Sequence, residues 1–507
     1  MLSIIKSLCV EGLHVHKVDV EVDVSYSALP SFTIVGLPDT AVQEARERVR
    51  SAVRNSGYQF PIARIVVNLA PADIKKEGSG FDLPIALGIL TASNQIEPYQ
   101  SEKAFFVGEL SLDGKVKPIT GLFPLVLELD EYEDEQYQIY FPLENFHEAF
   151  STHLQLYPCS LLSEVIGHLA GIIQSLPIKP ALKTSNMAEY GDMEDVIGQT
   201  YAKRALIIAA AGFHNILMIG PPGTGKTMLA KRLVTILPSL TPEESRQVTK
   251  LYSIAGKLPS DQGFIVERPF RSPHHSASSI ALIGGGAIPK PGEISLSHRG
   301  VLFLDELPEF KREVINALRQ PIEEGTITIS RARSTMQYPA HFMLVSAMNP
   351  CPCGYHGDSK HPCTCQPGQV LRYRNKVKGP ILDRIDLVTE VFREKTERII
   401  QGKKNETSAE IKQLIQTIHQ LQRERYSSEK FQFNSEIPAR VLKKYCTLTE
   451  SASEFLKMAS EKIGLSGRGL TKVMKTSRTI ADLRGSSLID TEDVAESLQY
   501  RWQETQY

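Results

Sequence analysis

The segment GPPGTGKT, residues 220–227, has the spacing G-x-x-x-x-G-K-T that binds the phosphates of a nucleoside triphosphate. It follows the apolar segment NILMI and precedes MLAKRLVTIL, which predicts a strand, a loop and a helix in that order. Its glycines let backbone N–H groups converge on phosphate oxygens at the start of the helix. Lys226 is expected to bridge the β- and γ-phosphates, and the Thr227 hydroxyl to bind Mg²⁺. The predicted nucleotide-binding residues are Gly220, Pro221, Pro222, Gly223, Thr224, Gly225, Lys226, Thr227 and Asp305.

Two adjacent carboxylates, Asp305 and Glu306, follow the apolar segment VLFL. Ligands of α/β sheets bind at the carboxyl ends of the strands, so both are expected beside the phosphates. Asp305 is expected to hold Mg²⁺ through water, and Glu306 to polarise the attacking water. A further apolar segment, HFMLVSAM, ends at Asn349, whose amide is placed to orient that water. This set predicts ATP hydrolysis.

Two arginines are candidates for contacting the γ-phosphate from more distant segments. Arg384, in GPILDRIDL, precedes an apolar strand at a position where it could face the nucleotide of a neighbouring subunit. A surface salt bridge is the alternative for this residue. In GLSGRGLTKVMKTSRTIADLRG, Arg468 lies near a predicted helix start and Arg478 lies further along. We favour Arg468 as an arginine that reaches back from a helical domain to sense the γ-phosphate.

Four of the seven cysteines lie in the segment NPCPCGYHGDSKHPCTC, which begins at Asn349. Its C-x-C pairs are tighter than the usual C-x₂₋₄-C of structural zinc sites. The loop between the pairs is polar, so a metal would supply the folding energy that it lacks. Removing the metal is expected to impair DNA engagement or assembly more than nucleotide binding. Free thiols or a redox disulfide are the alternatives, and His356 or His361 could replace one thiolate. The predicted Zn²⁺ ligands are Cys351, Cys353, Cys363 and Cys365.

Positioning these side chains requires a multidomain α/β chain. Residues 1–171 combine alternating segments such as VDVEVDV with the amphipathic helix AVQEARERVRSAVRN, which predicts an α/β domain. Residues 172–193, rich in proline and polar residues, have the composition of a linker. Residues 194–392 are expected to form the ATPase core, with the cysteine insert at 351–365. Residues 393–507 have helical spacing and predict an all-helical lid domain.

The composition excludes some classes of protein. The 507 residues carry 57 Lys and Arg against 58 Asp and Glu, so any nucleic-acid site must be a local basic patch. No apolar run approaches the roughly 18 residues that span a bilayer. The N-terminal sequence lacks a signal-peptide core. We therefore expect a cytoplasmic protein, in which clustered cysteines favour metal over disulfide.

These motifs, in this order, resemble those of AAA+ ATPases. The segments RPFRSPHHSASSIALIGGG, PGEISLSHRGVLFLDELPEF, SAMNPCPCG and SRTIADLRG are similar to those of the magnesium-chelatase-like AAA+ proteins of the ComM/YifB family. The resemblance covers nearly the whole chain. It implies that Lys226 and Thr227 belong to the Walker A motif, and Asp305 and Glu306 to the Walker B motif. It also implies that Asn349 is sensor 1, Arg384 the arginine finger and Arg468 sensor 2.

The same resemblance implies a hexameric ring that uses ATP to move on DNA. Its expected role is branch migration of recombination intermediates during natural transformation. The alternative is a chelatase-type motor subunit that remodels a protein partner for metal insertion. The two hypotheses share the ATPase core, so the core motifs do not separate them.

The N-terminal domain resembles the proteolytic domain of Lon, which uses a serine and a lysine. Aligning the glycines of EGSGFDLP places Gly80 at the nucleophile position, with Ser79 one residue away. In LDGKVKPITGLF, the lysine position falls on Phe123, and Lys115 and Lys117 lie too early. We therefore expect a protease-like scaffold without peptidase activity.

Basic residues between the two catalytic segments are the candidates for DNA contact. GTITISRARSTMQYPAHF predicts a β-hairpin with Arg331 and Arg333 at its tip, which in a ring would face the pore. GGGAIPKPGEISLSHRG supplies Lys290 in a second loop. Such residues would grip phosphates without reading bases. Exposed charges on an ordinary hairpin are the alternative. For His274 and His275 we expect hydrogen bonding within the core rather than metal binding.

Overall fold

The computed structural model divides into two compact units. The first takes in residues within 1–185 and 245–265, and the second residues within 186–244 and 266–507. The segment 245–265, which the sequence analysis assigns to the ATPase core, therefore groups with the N-terminal unit. Most of the predicted linker lies outside the described residues. The structure describes residues 1–76, 78–99, 103–132, 136–151, 153–173, 190–259, 263–286, 289–331, 334–358, 360–377, 379, 381–394 and 406–501.

The first unit is an α/β structure built around a four-stranded sheet of order β1-β2-β4-β3. Smaller sheets of order β5-β8-β9 and β6-β7 complete it. The strands are β1 (Leu2–Glu11), β2 (His14–Ser25), β3 (Ser31–Val35), β4 (Arg64–Ala70), β5 (Ala104–Phe106), β6 (Glu109–Leu110), β7 (Val116–Lys117), β8 (Gln138–Pro142) and β9 (Gln155–Cys159). The helices are α1 (Thr40–Asn55), α2 (Asp82–Ala92), α3 (Leu122–Asp130) and α4 (Leu162–Leu169).

The core of this unit lies between the large sheet and α2. The valines of VDVEVDV occupy every second position of β2 and are buried, as a period of two predicts. Every residue of α2 is buried, and Ser3 donates a 2.7 Å hydrogen bond to the carbonyl of Gly88. A Cβ at Gly88 would lie 2.5 Å from Val22, so glycine permits this close helix–sheet contact.

The second unit contains a five-stranded, all-parallel sheet of order β11-β14-β17-β10-β18. Its three central strands are buried throughout and apolar except for Ser346, as expected for a sheet covered on both faces. Two antiparallel hairpins, β12–β13 and β15–β16, lie outside this sheet. The strands are β10 (Ile216–Ile219), β11 (Phe270–Arg271), β12 (Gly284–Gly285), β13 (Lys290–Pro291), β14 (Val301–Leu304), β15 (Thr326–Arg331), β16 (Ser334–Pro339), β17 (Met343–Met348) and β18 (Leu387–Glu390).

The second unit also contains helices, and of α7 only residues 242–244 belong to it. These helices are α5 (Thr200–Gly212), α6 (Lys226–Ile236), α7 (Pro242–Ile254), α8 (Ser279–Ile283), α9 (Glu293–Leu296), α10 (Arg312–Ala317), α11 (Arg319–Glu324) and α12 (Pro367–Asn375).

The secondary-structure elements described between residues 406 and 501 are all helices, as the spacing predicts. The capping box of Thr407 and Glu410 fixes the start of the longest of these helices. Among the described residues, no helix combines the length and the apolar character needed to cross a membrane. The α-helices of this region are α13 (Ser408–Arg425), α14 (Leu442–Tyr445), α15 (Glu450–Ile463), α16 (Gly467–Leu483) and α17 (Thr491–Gln499).

Candidate nucleotide-binding site

The carboxyl ends of three neighbouring strands form one cavity of about 410 Å³. The phosphate-binding loop follows β10, the two carboxylates follow β14, and Asn349 follows β17, which lies between them. This is the edge of a parallel sheet at which ligands bind. The lining residues are Pro222, Gly223, Thr224, Gly225, Lys226, Thr227, Asp305, Glu306, Met348 and Asn349.

The phosphate-binding loop depends on two glycines with left-handed backbone angles, Gly223 at φ +77° and Gly225 at φ +89°. Gly225 caps α6, whose first residue is Lys226. The Lys226 ammonium donates hydrogen bonds to the carbonyls of Gly220, at 2.6 Å, and Pro221, at 2.9 Å. Burial lowers the pKa of Lys226 to about 8. Phosphate oxygens would replace these carbonyls as partners when nucleotide binds.

The residues predicted to bind Mg²⁺ lie together. The Thr227 hydroxyl donates a 2.7 Å hydrogen bond to Asp305, whose other carboxylate oxygen accepts from the Glu306 N–H at 2.9 Å. A hydroxyl and a carboxylate are oxygen ligands of the kind that Mg²⁺ prefers. The donor set therefore fits this ion.

Arg384 and Arg468 lie together in a different cavity, of about 590 Å³. Arg384 is in the turn Leu382–Arg384 just before β18, and its guanidinium pairs with Glu323. Arg468 is the second residue of α16, and one of its nitrogens lies 3.4 Å from the carboxylate of Asp383. Arg468 therefore lies in a cavity separate from the one that the phosphate-binding loop lines, and its role in sensing the γ-phosphate stays a prediction.

Arg478, the other arginine weighed for that role, is a core residue. It is 1% exposed and bonds to the carbonyls of Ser486 and Ser487 and to Asp482. Its guanidinium therefore stabilises the helical region.

Asn215 connects three strands at the end of β10 opposite the phosphate-binding loop. Its side-chain oxygen accepts from the N–H of Leu344 at 2.8 Å, and its amide donates to the carbonyl of Arg384 at 3.0 Å. Its own N–H donates to Asp386 at 3.2 Å. In the sequence, this residue is recognisable only as the start of a predicted strand.

The four clustered cysteines are close enough to share one metal ion. Their sulfurs all lie within 4.8 Å of one another, and three of the pairs are 3.3, 3.6 and 3.7 Å apart. Thiolates about 2.3 Å from a tetrahedral zinc ion stand about 3.8 Å apart. The C-x-C pairs therefore converge despite their short spacing, and the set fits Zn²⁺. The cysteines are Cys351, Cys353, Cys363 and Cys365.

The two histidines weighed as substitute ligands have other contacts. The N–H of His356 donates to Cys351 at 3.3 Å, a backbone contact that leaves the ring uninvolved. The ring of His361 lies 3.6 Å from Asp358. Neither imidazole belongs to the metal-binding group found among the described residues.

The cysteine insert packs directly against the phosphate-binding loop. A Cβ at Gly354, whose φ is +87°, would lie 2.7 Å from the ring of Pro222. Arg393 lies 3.5 Å from Asp358 of the insert and donates to the carbonyl of Pro222 at 3.4 Å. These contacts join the insert to the nucleotide site, and the expectation that its loss impairs DNA engagement or assembly more than nucleotide binding stays a prediction.

The protease-like positions of the first unit do not form a serine–lysine pair. The Ser79 hydroxyl donates to Glu109, and Phe123 is buried against Phe264. Lys115 pairs with Asp113 at 2.8 Å, and Lys117 lies 3.9 Å from Glu144.

The hairpin predicted around Arg331 exists, and the segment of Lys290, predicted as a loop, contains the short hairpin β12–β13. In β15–β16, Arg331 pairs with Ser334 at the closed end, as the alternation predicts. Arg333 lies outside the described residues. Lys290 begins β13 and is exposed.

The expectation that His274 and His275 are core residues is wrong. Both follow the short strand β11, where His274 is exposed and His275 half-buried. The Nδ1 of His275 lies 3.3 Å from the carboxylate of Glu306. No sequence pattern indicated this contact, because a two-residue strand shows no detectable alternation.

Comparison with known families identifies three matching segments. Residues 192–399 match the family model described as magnesium chelatase, subunit ChlI, and residues 20–145 match subunit ChlI of Mg-chelatase. Residues 405–501 match the C-terminal part of the same subunit.

Relatives of two kinds match this chain, some over nearly its whole length and others over about a third of it. Competence protein ComM of Haemophilus influenzae is 42% identical over 99% of this chain and 97% of its own length. The uncharacterized protein YifB of Escherichia coli is 41% identical, with the same coverage. The magnesium-chelatase subunit ChlI of Bigelowiella natans is 25% identical over 31% of this chain and 49% of its own length.

Proposed function

The chain belongs to the ComM/YifB family of magnesium-chelatase-like AAA+ proteins, and we propose that it is an ATP-driven motor that moves on DNA. The observation that carries the proposal is the convergence of phosphate-binding loop, carboxylates and amide on one cavity. The proposed role is branch migration of recombination intermediates in natural transformation. The name of the ComM relative supports this role.

In the proposed reaction, Lys226 binds the β- and γ-phosphates, and Thr227 and Asp305 hold Mg²⁺. Bound Mg²⁺ would neutralise charge on the phosphates. Glu306 accepts a proton from the attacking water, and Asn349 orients that water. Three neighbouring strands fix these side chains, so little reorganisation is needed during the reaction.

We propose that Arg384 and Arg468 act on the nucleotide of the neighbouring subunit. They share one cavity, and the phosphate-binding loop lines another. An arginine that completes a neighbour's site requires a head-to-tail interface, which forms a ring when the rotation between subunits closes. A homo-hexamer is the proposed assembly, and it is implied by the family resemblance.

DNA contact is assigned to the two hairpins. Arg331 and Arg333 of β15–β16 and Lys290 of β12–β13 would bind phosphates without sequence preference. The exposure of Lys290 and the hairpin pairing at Arg331 support this assignment.

The cysteine insert is proposed to be a structural zinc site. Four thiolates fill a tetrahedral coordination sphere and leave no position for a substrate, so the metal would hold the loop in place rather than catalyse. The sulfur separations support this proposal.

For the N-terminal unit, we propose a Lon-protease-like scaffold that lacks peptidase chemistry. A serine nucleophile needs a neighbouring base, and Ser79 instead donates to Glu109. The pairing of Lys115 with Asp113 also removes one candidate base.

The test is the ATPase rate of the full chain with and without single-stranded or branched DNA. DNA is expected to stimulate the rate, and Lys226→Ala is expected to abolish it. Changing Arg331 and Arg333 together should weaken DNA binding and make its salt dependence shallower by about two units of slope, while basal hydrolysis remains. Absence of both stimulation and DNA binding at low salt would reject the DNA-motor proposal.

The alternative is a chelatase-type motor subunit, favoured by the descriptions of the three matching family models. Such a protein would hydrolyse ATP without responding to DNA. The whole-chain identity to the ComM relative favours the DNA motor.

A further inference from the structure

Lys472 lies in α16, one helical turn after Arg468, and its ammonium contacts the turn that carries Arg384. It donates hydrogen bonds to the carbonyls of Leu382, at 3.0 Å, and Ile385, at 2.8 Å. In the chain, one of these residues precedes Arg384 and the other follows it. A single side chain therefore binds the turn on both sides of the arginine.

The burial of Lys472 makes these bonds necessary. The residue is 9% exposed, and burial lowers its pKa to about 8, while the charge of Asp386 opposes this shift. The ammonium is therefore still charged at neutral pH. Because a buried charge without hydrogen-bond partners is costly, the ammonium must stay close to its acceptors. The position of the turn is thus coupled to the position of α16.

Two other contacts hold the same turn. The Asn215 amide donates to the carbonyl of Arg384 at 3.0 Å, which ties the turn to β10. Arg468 lies 3.4 Å from Asp383, but both side chains are more than half exposed, so this ion pair contributes little. Of these three contacts, that of Lys472 joins the turn to the helical region through buried bonds from a charged donor, which are the stronger kind.

The other end of α16 is fixed by buried polar contacts. Asp482, which is 1% exposed, accepts hydrogen bonds of 2.9 and 2.6 Å from the guanidinium of Arg425 in α13. Three residues earlier in α16, the Thr479 hydroxyl lies 2.7 Å from Nε2 of His214, which precedes β10. The packing of the helical region therefore determines where Lys472 lies.

We propose that Lys472 is a positioning residue for Arg384, and that through it the helical region sets the reach of this arginine toward the nucleotide of the neighbouring subunit. The inference rests on the proposed role of Arg384 and adds the side chain that holds it. Lys472 touches the backbone of the turn rather than a phosphate. Because an arginine finger acts in the transition state, loss of Lys472 should slow hydrolysis without weakening ATP binding.

Lys475 provides a matched control. It lies in the same helix, three residues after Lys472, and burial lowers its pKa as well. Its ammonium donates to the carbonyl of Ser435 at 2.7 Å, a contact within the helical region. Replacing either lysine by Met removes the charge and keeps most of the length of the side chain. This choice limits the cavity that a shorter residue would leave.

The first measurement is ATP hydrolysis by the full chain for wild type, Lys472→Met and Lys475→Met. Lys472→Met is expected to lower kcat by about 100-fold with KM unchanged, the effect of displacing a reacting group by about 1 Å. Lys475→Met should behave like wild type. Combining Lys472→Met with Arg384→Ala should lower kcat no further than Arg384→Ala alone, because both changes remove the contribution of one guanidinium.

The second measurement mixes subunits. Lys472→Met mixed with Lys226→Ala should recover about a quarter of wild-type ATPase, because about one interface in four joins an intact phosphate-binding loop to a correctly held arginine. Lys472→Met mixed with Arg384→Ala should recover none, since both variants lack the same contribution. A lysine that is needed only for folding would give recovery with neither partner.

An unchanged kcat or a raised KM in Lys472→Met would overturn the inference, as would an equal loss in Lys475→Met. Recovery with Arg384→Ala, or with neither partner, would also overturn it. If wild type hydrolyses no more ATP than Lys226→Ala, or if Arg384→Ala is fully active, the proposed function fails at that point, and the inference fails with it. Loss of hydrolysis in Arg384→Ala but not in Lys472→Met rejects the inference alone.

Discussion

The ammonium of Lys226 donates a 3.1 Å hydrogen bond to the side-chain oxygen of Asn349. One residue begins the helix after the phosphate-binding loop, and the other ends the neighbouring strand β17. The bond joins the group proposed to bind phosphate to the group proposed to orient water. In the proposed reaction, this lysine would therefore couple phosphate binding to hydrolysis.

The pH dependence of ATP binding tests the state of Lys226. Burial lowers its pKa to about 8, and bound phosphate favours the charged form. Below pH 8 the lysine is already charged. Above pH 8 binding must take up a proton, so affinity should fall by up to about tenfold per pH unit. Calorimetry in buffers of different ionisation enthalpy measures this uptake. Equal affinity from pH 7 to 9.5 would contradict the prediction, and Lys226→Ala should lack the dependence.

Gly354→Ala tests the contact between the insert and the phosphate-binding loop. Its added Cβ would lie 2.7 Å from Pro222 at a left-handed φ of +87°. We expect the Kd for ATP to rise about tenfold. Gly357→Ala is the control, since Gly357 has φ +79° but no atom within 4 Å of the Cβ position. It shares the backbone cost of about 1–2 kcal/mol without the clash. Equal ATP affinities for the two variants would refute the contact's role.

Subunit mixing tests whether Arg384 acts on a neighbour. Lys226→Ala and Arg384→Ala should each be inactive alone. In mixed rings, an intact Lys226 meets an intact Arg384 at about one interface in four, so about a quarter of wild-type ATPase should return. The same holds for Lys226→Ala mixed with Arg468→Ala. If mixing restores nothing, the arginines act within their own subunit.

Metal analysis tests the cysteine cluster. Protein purified without chelator should hold one zinc per chain, and Cys363→Ser should lose it. Because the metal would supply folding energy to the insert, this loss should lower the Tm and weaken ATP binding through Pro222. His361→Ala is the control and should keep its zinc, because its ring lies against Asp358. Wild-type protein without zinc would refute the site.

The buried His419 predicts loss of stability in acid. Its Nε2 lies 2.9 Å from the carbonyl of Ala210, and burial lowers its pKa to about 3 from an ordinary 6.5. Between these values only the unfolded chain takes up the proton, so the free energy of unfolding should fall by up to about 1.4 kcal/mol per pH unit as pH decreases. Denaturation between pH 4.5 and 7.5 measures this slope. His419→Gln, which retains a donor, should flatten it, and an unchanged slope would assign the effect to other groups.

The sequence predicted the parts of the site that lie close together in the chain. The strand, loop and helix at the phosphate-binding loop and the apolar strands before Asp305 and Asn349 are confirmed. So is the helical character of the C-terminal region. These features depend on local spacing, which one sequence shows directly.

Contacts between distant segments could not be predicted in the same way. The shared cavity of Arg384 and Arg468 depends on how α16 packs beside the turn before β18. The contact of His275 with Glu306 depends on the order of the strands, which no periodicity encodes. The contact of Gly354 with Pro222 depends on the path of a loop.

Strand β10 carries the phosphate-binding loop at one end and Asn215, the anchor of the Arg384 carbonyl, at the other. Its four buried residues form a rigid strand about 13 Å long. In a ring, a shift of the phosphate-binding loop after hydrolysis would move the far end of β10. The same movement would displace Arg384, which is proposed to contact the nucleotide of the next subunit. Hydrolysis of one ATP would thus set the timing of hydrolysis in the next subunit, and hydrolysis would proceed around the ring in sequence.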